Sequence, residues 1–241
     1  MSDFRRHLDE VKSKGFGSEQ IVKFYNDRAE TYEQDFFGTL ELRSAHLLMD
    51  ILVANFSGER QKLQVLDVAC GSGMVAKLMF EAGFRNFVGV DCSQKMLDIA
   101  AESGLYQDLH LALLGTEPLP VQTAWFDLVT LAGGLGVGFC PVSVVRELWA
   151  AAKPGGFICL ARGNHSSSAE QEFRTHLETE LQLMEEDGLW SPVAVRQEDR
   201  YMLDPNLETS GEGGKVYITG TCYLYRKSSS TEGNQRPFKK M

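Results

Sequence analysis

At 241 residues, with 43% hydrophobic and 24% charged content, the chain has ordinary globular composition and room for one three-layer domain. A formal net charge of −9 works against long-range attraction to phosphate backbones, and so against a nucleic-acid partner. No stretch approaches the roughly 18 uninterrupted apolar residues of a membrane-spanning helix, and Met1 to Glu10 carries charges where a secretory signal has its apolar region. The expectation is a monomer off the membrane, in the cytoplasm, with the nucleus as the other compartment. Five cysteines, far apart and without a Cys-x-x-Cys pair, read as packed, reduced thiols rather than a disulfide framework or metal site.

The first helical signal is Ser18 to Asp35, where Ile21, Phe24, Tyr25, Ala29 and Tyr32 share one face. Ser18 is placed to cap this helix, and Glu19 falls in its favourable first turn. A second helix is expected over Glu41 to Phe56, ended by Ser57-Gly58. From there short apolar runs alternate with helical segments, the pattern of βαβ units in a parallel sheet. Strands are expected over Gln64 to Ala69, Phe87 to Asp91, Leu109 to Leu114, Phe126 to Ala132 and Phe157 to Arg162. Helices over Val75 to Ala82, Gln94 to Ser103 and Val142 to Ala152 separate them, the last stopped by Lys153-Pro154-Gly155-Gly156. A long helix, Ser167 to Glu186, precedes two β-like runs, Val193 to Leu203 and Lys215 to Lys227, which should pair antiparallel at one sheet edge. The fold class is α/β, a seven-stranded, mostly parallel sheet flanked by helices. Residues 1–60 are expected to form a helical lid on a core spanning 61–227. The polar, basic residues 228–241 are expected to be disordered.

The segment VLDVACGSG, Val65 to Gly73, runs from a buried strand into a turn that only small residues can make, and then into a helix. Gly71 and Gly73 let the backbone approach a ligand, and the helix start offers N–H groups to it. Asp91 closes the next strand, where its carboxylate can accept from both hydroxyls of a ribose; it is equally placed to cap the helix that follows. A nucleoside-containing cofactor fits this pair, yet Gly71 to Ala76 also satisfies the Gly-x-Gly-x-x-Gly/Ala pattern of nicotinamide enzymes. Asp67 at the strand end and some 60 helical residues before the strand favour a cofactor carrying an ammonium group. Dinucleotide folds usually begin at that strand.

From about Phe24 to Arg162 the chain resembles the class I S-adenosylmethionine-dependent methyltransferases. The run Leu66 to Gly73 looks like their first motif and Val88 to Leu97 like their second. Phe126 to Val129 and Lys153 to Gly156 look like the signatures at the fourth and fifth strands. The texts at Phe24 to Glu33, Glu102 to Gln107 and Leu114 to Pro120 narrow the likeness to vertebrate methyltransferase-like proteins. The resemblance implies a Rossmann-like fold, S-adenosylmethionine as donor and S-adenosylhomocysteine as product. Residue by residue, it implies that Ala69, Cys70, Gly71 and Gly73 pass the methionine part, with Leu131 at the neighbouring strand end. Asp67 would orient the amino group, Asp91 hold the ribose, and Cys92 and Met96 flank the adenine. Tyr25 and Tyr32 would fold over the methionine end, and Arg43 would pair with its carboxylate. Gly115 stands where related enzymes often carry an acid, leaving adenine recognition to the Thr116 backbone and Glu117. Tyr25 and Tyr32 suit packing on the sheet equally well, and Arg43 also reads as a solvated helix residue.

Methyl transfer from a sulfonium needs chiefly proximity and alignment. The chain lacks the Asn/Asp-Pro-Pro-Tyr/Phe motif of exocyclic-amine methyltransferases and has Ala132 to Gly138, rich in glycine, after the fourth strand. The expected activity is in-line methyl transfer to a small molecule or protein side chain, the acceptor unidentified and no catalytic base assigned. The alternatives are an S-adenosylmethionine-binding sensor or partner subunit with little activity, and a nicotinamide-dependent oxidoreductase. His46, His110, His165 and His176 read as structural or exposed, and Trp125 and Trp149 as packing residues. Trp190 reads as a packing residue or as part of an acceptor pocket.

Overall fold

The computed structural model describes residues 18–204 and 214–229. The expectations for the first ten residues, most of the Asp204 to Gly214 link and the tail from 230 lie outside them. Helix α1, Ser18–Arg28, and a π-helical turn, Gln34–Thr39, precede helix α2, Ser44–Asn55. The core then alternates: β1 Gln64–Val68, α3 Met74–Glu81, β2 Asn86–Asp91, α4 Gln94–Glu102, β3 Tyr106–Leu111, β4 Phe126–Ala132, α5 Val144–Ala151 and β5 Ala152–Gly163. Helix α6, Ser168–Glu186, leads to β6, Trp190–Leu203, and β7, Tyr217–Lys227.

The seven strands run in the order β3-β2-β1-β4-β5-β7-β6. The first five strands are parallel, while β7 pairs antiparallel with both β5 and β6. The strand order reverses between β1 and β4, which opens a crevice at their carboxyl ends. Apolar side chains bury on both faces. Leu47, Leu48 and Leu52 of α2 pack with Ala76 and Met79 of α3 on one side. Val144, Val145 and Leu148 of α5 pack with Leu177, Leu181 and Met184 of α6 on the other.

Several boundaries differ from the sequence-based expectation, those of three elements with a visible local reason. The first helix ends at Arg28 rather than Asp35, because the Thr31 hydroxyl turns to the Asp35 carboxylate (2.8 Å) and the chain bends so that Phe36 is buried. Strand β3 starts at Tyr106 and ends at Leu111, three residues early at each end. Its half-polar text, Tyr-Gln-Asp-Leu-His-Leu, suits a sheet edge. The β5 strand begins at Ala152, so Lys-Pro-Gly-Gly lies inside it. A Cβ on Gly156 would meet the Lys153, Asp127 and Phe126 carbonyls at 2.9 to 3.1 Å, and only glycine fits.

Candidate active site

The turn after β1 is built from residues held at positive φ: Ala69 at 54°, Gly71 at 54° and Gly73 at 87°. The Asp91 carboxylate at the end of β2 locks it, accepting from the Gly71 N–H (2.8 Å) and, through its other oxygen, from the Ser93 N–H (2.9 Å). The Cys92 N–H and thiol also lie against this carboxylate, whose roughly four acceptor positions a ligand would share with the protein. Burial raises the Asp91 pKa, and those peptide N–H groups oppose the rise. A cavity opens against this carboxylate. It holds about 90 Å³ of free interior within about 740 Å³ counted out through its mouth.

Asp91, Cys92 and Met96 line one part of it, next to Ala112, Leu113 and Leu114, which follow β3. Ala69 and Gly71 line another, facing Gly133 and Gly134 beyond β4. A Cβ on Gly134 would stand 2.8 Å from that of Ala69, so the two loops meet only because one residue is glycine. Ile21, Tyr25 and Tyr32 close the roof with Phe139, the Tyr25 ring standing 6.0 Å from Tyr32 and 6.2 Å from Phe139. Burial pushes both tyrosine hydroxyls far above their ordinary range, and Cys92 to about 12. All three stay protonated at neutral pH and are neither bases nor thiolate nucleophiles.

Two polar ties hold the roof down. The Asn26 side-chain oxygen accepts from the Ser93 hydroxyl (2.8 Å) and the Lys95 N–H (3.2 Å), fixing α1 to the start of α4. The Glu33 carboxylate accepts from the Ser72 hydroxyl (2.9 Å) and from Lys77 (2.6 Å), fixing the next turn to the glycine loop. Neither residue is a sequence-based candidate. The periodicity that reveals a buried face is blind to polar residues on its border.

Other candidates stand elsewhere. Asp67 is buried behind the loop and does not line the cavity; its oxygens accept from the Tyr106 hydroxyl (2.7 Å) and the Thr130 hydroxyl (3.2 Å). Desolvation raises its pKa to about 7, against the lowering by those two hydrogen bonds. Tyr106 also packs on Gly73, where a Cβ would meet its ring at 3.1 Å, so Gly73 serves loop packing and not the cavity wall. Cys70 and Leu131 are buried in the core beside the cavity. Arg43 faces Glu198 (3.7 Å) and does not line this cavity, because it precedes α2 at the point where that segment crosses β6. The Thr116 hydroxyl donates to its own turn at Leu113 and Glu117 is exposed. Ala112 to Leu114 take the wall position expected of them, since β3 ends three residues early. Trp190 stacks on Tyr225 (4.2 Å) and donates to the Leu181 carbonyl (3.2 Å), which makes it a core residue. Trp125 is exposed rather than packed.

A second cavity shares Tyr25, Tyr32, Gly133 and Phe139 with the first and continues to Phe36, Leu135, His165, Glu170 and Tyr201. Among the described residues no cluster of His, Cys, Asp or Glu could hold a metal ion, and no helix is long and apolar enough to cross a membrane.

The residues present fit a nucleoside bound through its ribose. A buried carboxylate at the end of β2 faces an apolar cleft, floored by a loop that admits no added Cβ where it meets Gly134. Residues 65–156 match the methyltransferase domain family. The fold is that of MccD (TM-score 0.55, 14% identity, 76% of this chain and 96% of that one). It is also that of the cyclase SpnF (TM-score 0.57, 17% identity, 77% and 81%). The chain belongs to the class I S-adenosylmethionine-dependent methyltransferases, and S-adenosylmethionine is its cofactor. A nicotinamide-dependent oxidoreductase is thereby excluded. Human methyltransferase-like protein 27, from the Williams-Beuren region, is 38% identical over 181 residues, 75% of this chain and 72% of that protein. The ubiquinone biosynthesis O-methyltransferase of Bordetella pertussis is 35% identical over 170 residues, 69% and 65%.

Proposed function

We propose that the chain moves a methyl group in line from S-adenosylmethionine to a small molecule or a protein side chain. The observation that carries this is the glycine-rich segment after β4. Gly133 lines both cavities, so an acceptor in the second lies next to a donor in the first. The cofactor supplies a methyl group on a positively charged sulfur, already activated for displacement. The protein's part is to hold the two reactants within roughly 3 to 3.5 Å of each other and to exclude water. Asp91 would accept from the ribose hydroxyls, Cys92, Met96 and Leu113 would enclose the adenine, and Ala69 and Gly71 would pass the methionine chain. Asp67 would act from behind, setting the loop through Tyr106 and Thr130. The O-methyltransferase name of the Bordetella relative weighs toward a small acceptor.

Helices α1 and α2, with the turn between them, form a lid. The interior of about 90 Å³ is well below the ~300 Å³ at which ligand cavities begin, so Tyr25, Tyr32 and Phe139 must part for the cofactor to enter. Deleting residues 1–35 should weaken S-adenosylmethionine binding in calorimetry while the sheet keeps its circular dichroism; unchanged affinity would remove the lid. For the reaction itself, protein incubated with tritium-methyl donor and a cell extract should label the low-molecular-weight or the protein fraction. Saturable donor binding with label in neither would leave a binding protein without transferase activity.

A further inference from the structure

We propose that the second cavity is the acceptor site, that its acceptor is a small, uncharged aromatic hydroxyl compound, and that His165 takes the hydroxyl proton. This rests on the transferase reading above. The cavity is walled by the rings of Tyr25, Tyr32, Phe36, Phe139 and Tyr201. Tyr32 and Phe36 pack against each other, their centroids 4.6 Å apart and their planes 35° from parallel. A cavity lined by aromatic rings favours another flat ring as its guest.

The charge balance selects a neutral guest. Glu170 is the carboxylate on this wall, and it is already neutralised. One oxygen accepts from Arg162 (3.0 Å), with both partners almost fully buried, and the other from the Val137 N–H (3.3 Å). A cationic amine would find no uncompensated negative charge there to offset its loss of water.

The three tyrosine hydroxyls on the wall are driven upward by burial and remain protonated. They can donate to an acceptor but not deprotonate it. His165 also lies on this wall, and histidine is the side chain that most often takes a proton in catalysis. Its position is fixed by the sheet. The Asn164 N–H donates to the Thr219 carbonyl (2.8 Å) and its side-chain amide to the Thr219 and Thr221 hydroxyls (3.0 and 3.1 Å), anchoring the chain just past β5. In the step itself the acceptor oxygen forms a bond to the methyl carbon as the carbon–sulfur bond breaks. That bond's electron pair stays on sulfur, which becomes a neutral thioether, and the hydroxyl proton passes to His165 and then to water.

Catechol is the probe. With the full chain saturated in S-adenosylhomocysteine, calorimetry should show catechol binding, and benzylamine should not bind. The variant His165→Asn should keep its melting temperature and its catechol and S-adenosylhomocysteine affinities within about 3-fold. Its catechol methylation at pH 7 should fall by about 100-fold or more, in kcat rather than KM. Its residual rate should climb about tenfold per pH unit up to the range of the free phenol, where the wild type is level. Absence of catechol binding, preferential binding of benzylamine, or a parallel pH profile in the variant would each overturn the inference. Label from the tritiated donor entering a protein fraction or a non-phenolic compound would overturn it too, while leaving the transferase reading intact.

Discussion

Asp67 and Asp91 lie at the ends of neighbouring strands, both buried, yet only Asp91 reaches the cavity. Each implies a different experiment. In the proposed site Asp91 would offer a charged acceptor to the ligand, and hydrogen bonds to charged groups are worth about 1.5–3 kcal/mol. Asp91→Ala should therefore weaken S-adenosylmethionine binding by about 10- to 100-fold in calorimetry. Asp67 instead shapes the pH dependence of folding. An unfolded aspartate titrates near 3.9, whereas in the folded chain desolvation lifts Asp67 to about 7. Between those values the unfolded chain gives up this proton and the folded chain keeps it, so its contribution to stability falls as pH rises from about 4 to about 7 and is level above. Asp67→Asn should remove that slope: in melts of the cofactor-free protein, the Tm of the variant relative to wild type should rise across the window. A difference independent of pH would show that Asp67 titrates normally.

Among the elements, α1 is held to the core by few polar contacts and by its apolar face. Removing the Asn26 tie leaves the Ser93 hydroxyl and the Lys95 N–H without that acceptor, a loss of about 1 kcal/mol per bond. Asn26→Ala should raise the Kd for S-adenosylmethionine several-fold and speed proteolysis near the α1–α2 turn, with little change in global Tm. Strand β5 and helix α6 are joined differently, through Arg162 and Glu170. Two of the guanidinium nitrogens of Arg162, Nε and Nη1, are buried without a hydrogen-bond partner. Losing one member of such a pair costs about 3–5 kcal/mol, while replacing both by apolar residues is often close to neutral. Arg162→Met should thus lower Tm sharply, and Arg162→Met with Glu170→Leu should recover most of it. Since Glu170 also holds the Val137 N–H, the double variant should still lose transferase activity.

For the whole molecule, cofactor binding and folding are linked, because the glycine loop, the end of β2 and helix α1 come together only in the native state. At a ligand concentration 100 times Kd that linkage is worth about 2.7 kcal/mol. S-adenosylmethionine and S-adenosylhomocysteine should both raise Tm by several degrees, and a nicotinamide dinucleotide should leave it unchanged. The alternation of strand and helix, the order of the motifs and the pairing of Gly71 with Asp91 are all legible in the chain, because each rests on local periodicity or on a turn that few residues can make. The cofactor follows from those motifs.

The sequence could not say which way each candidate faces. Gly71 and Gly73 look equivalent as text, but Gly71 lines the cavity while Gly73 packs on Tyr106. Arg43 and Trp190 are suited by type to a site and are spent on Glu198 and Tyr225. His165, outside every motif, reaches the second cavity only because β5 runs beside β4 and ends next to its glycine-rich turn. Local sequence thus determined the strands, the loop and the cofactor. The register between distant strands, set by burial and backbone hydrogen bonding across the sheet, decided which side chains share the site.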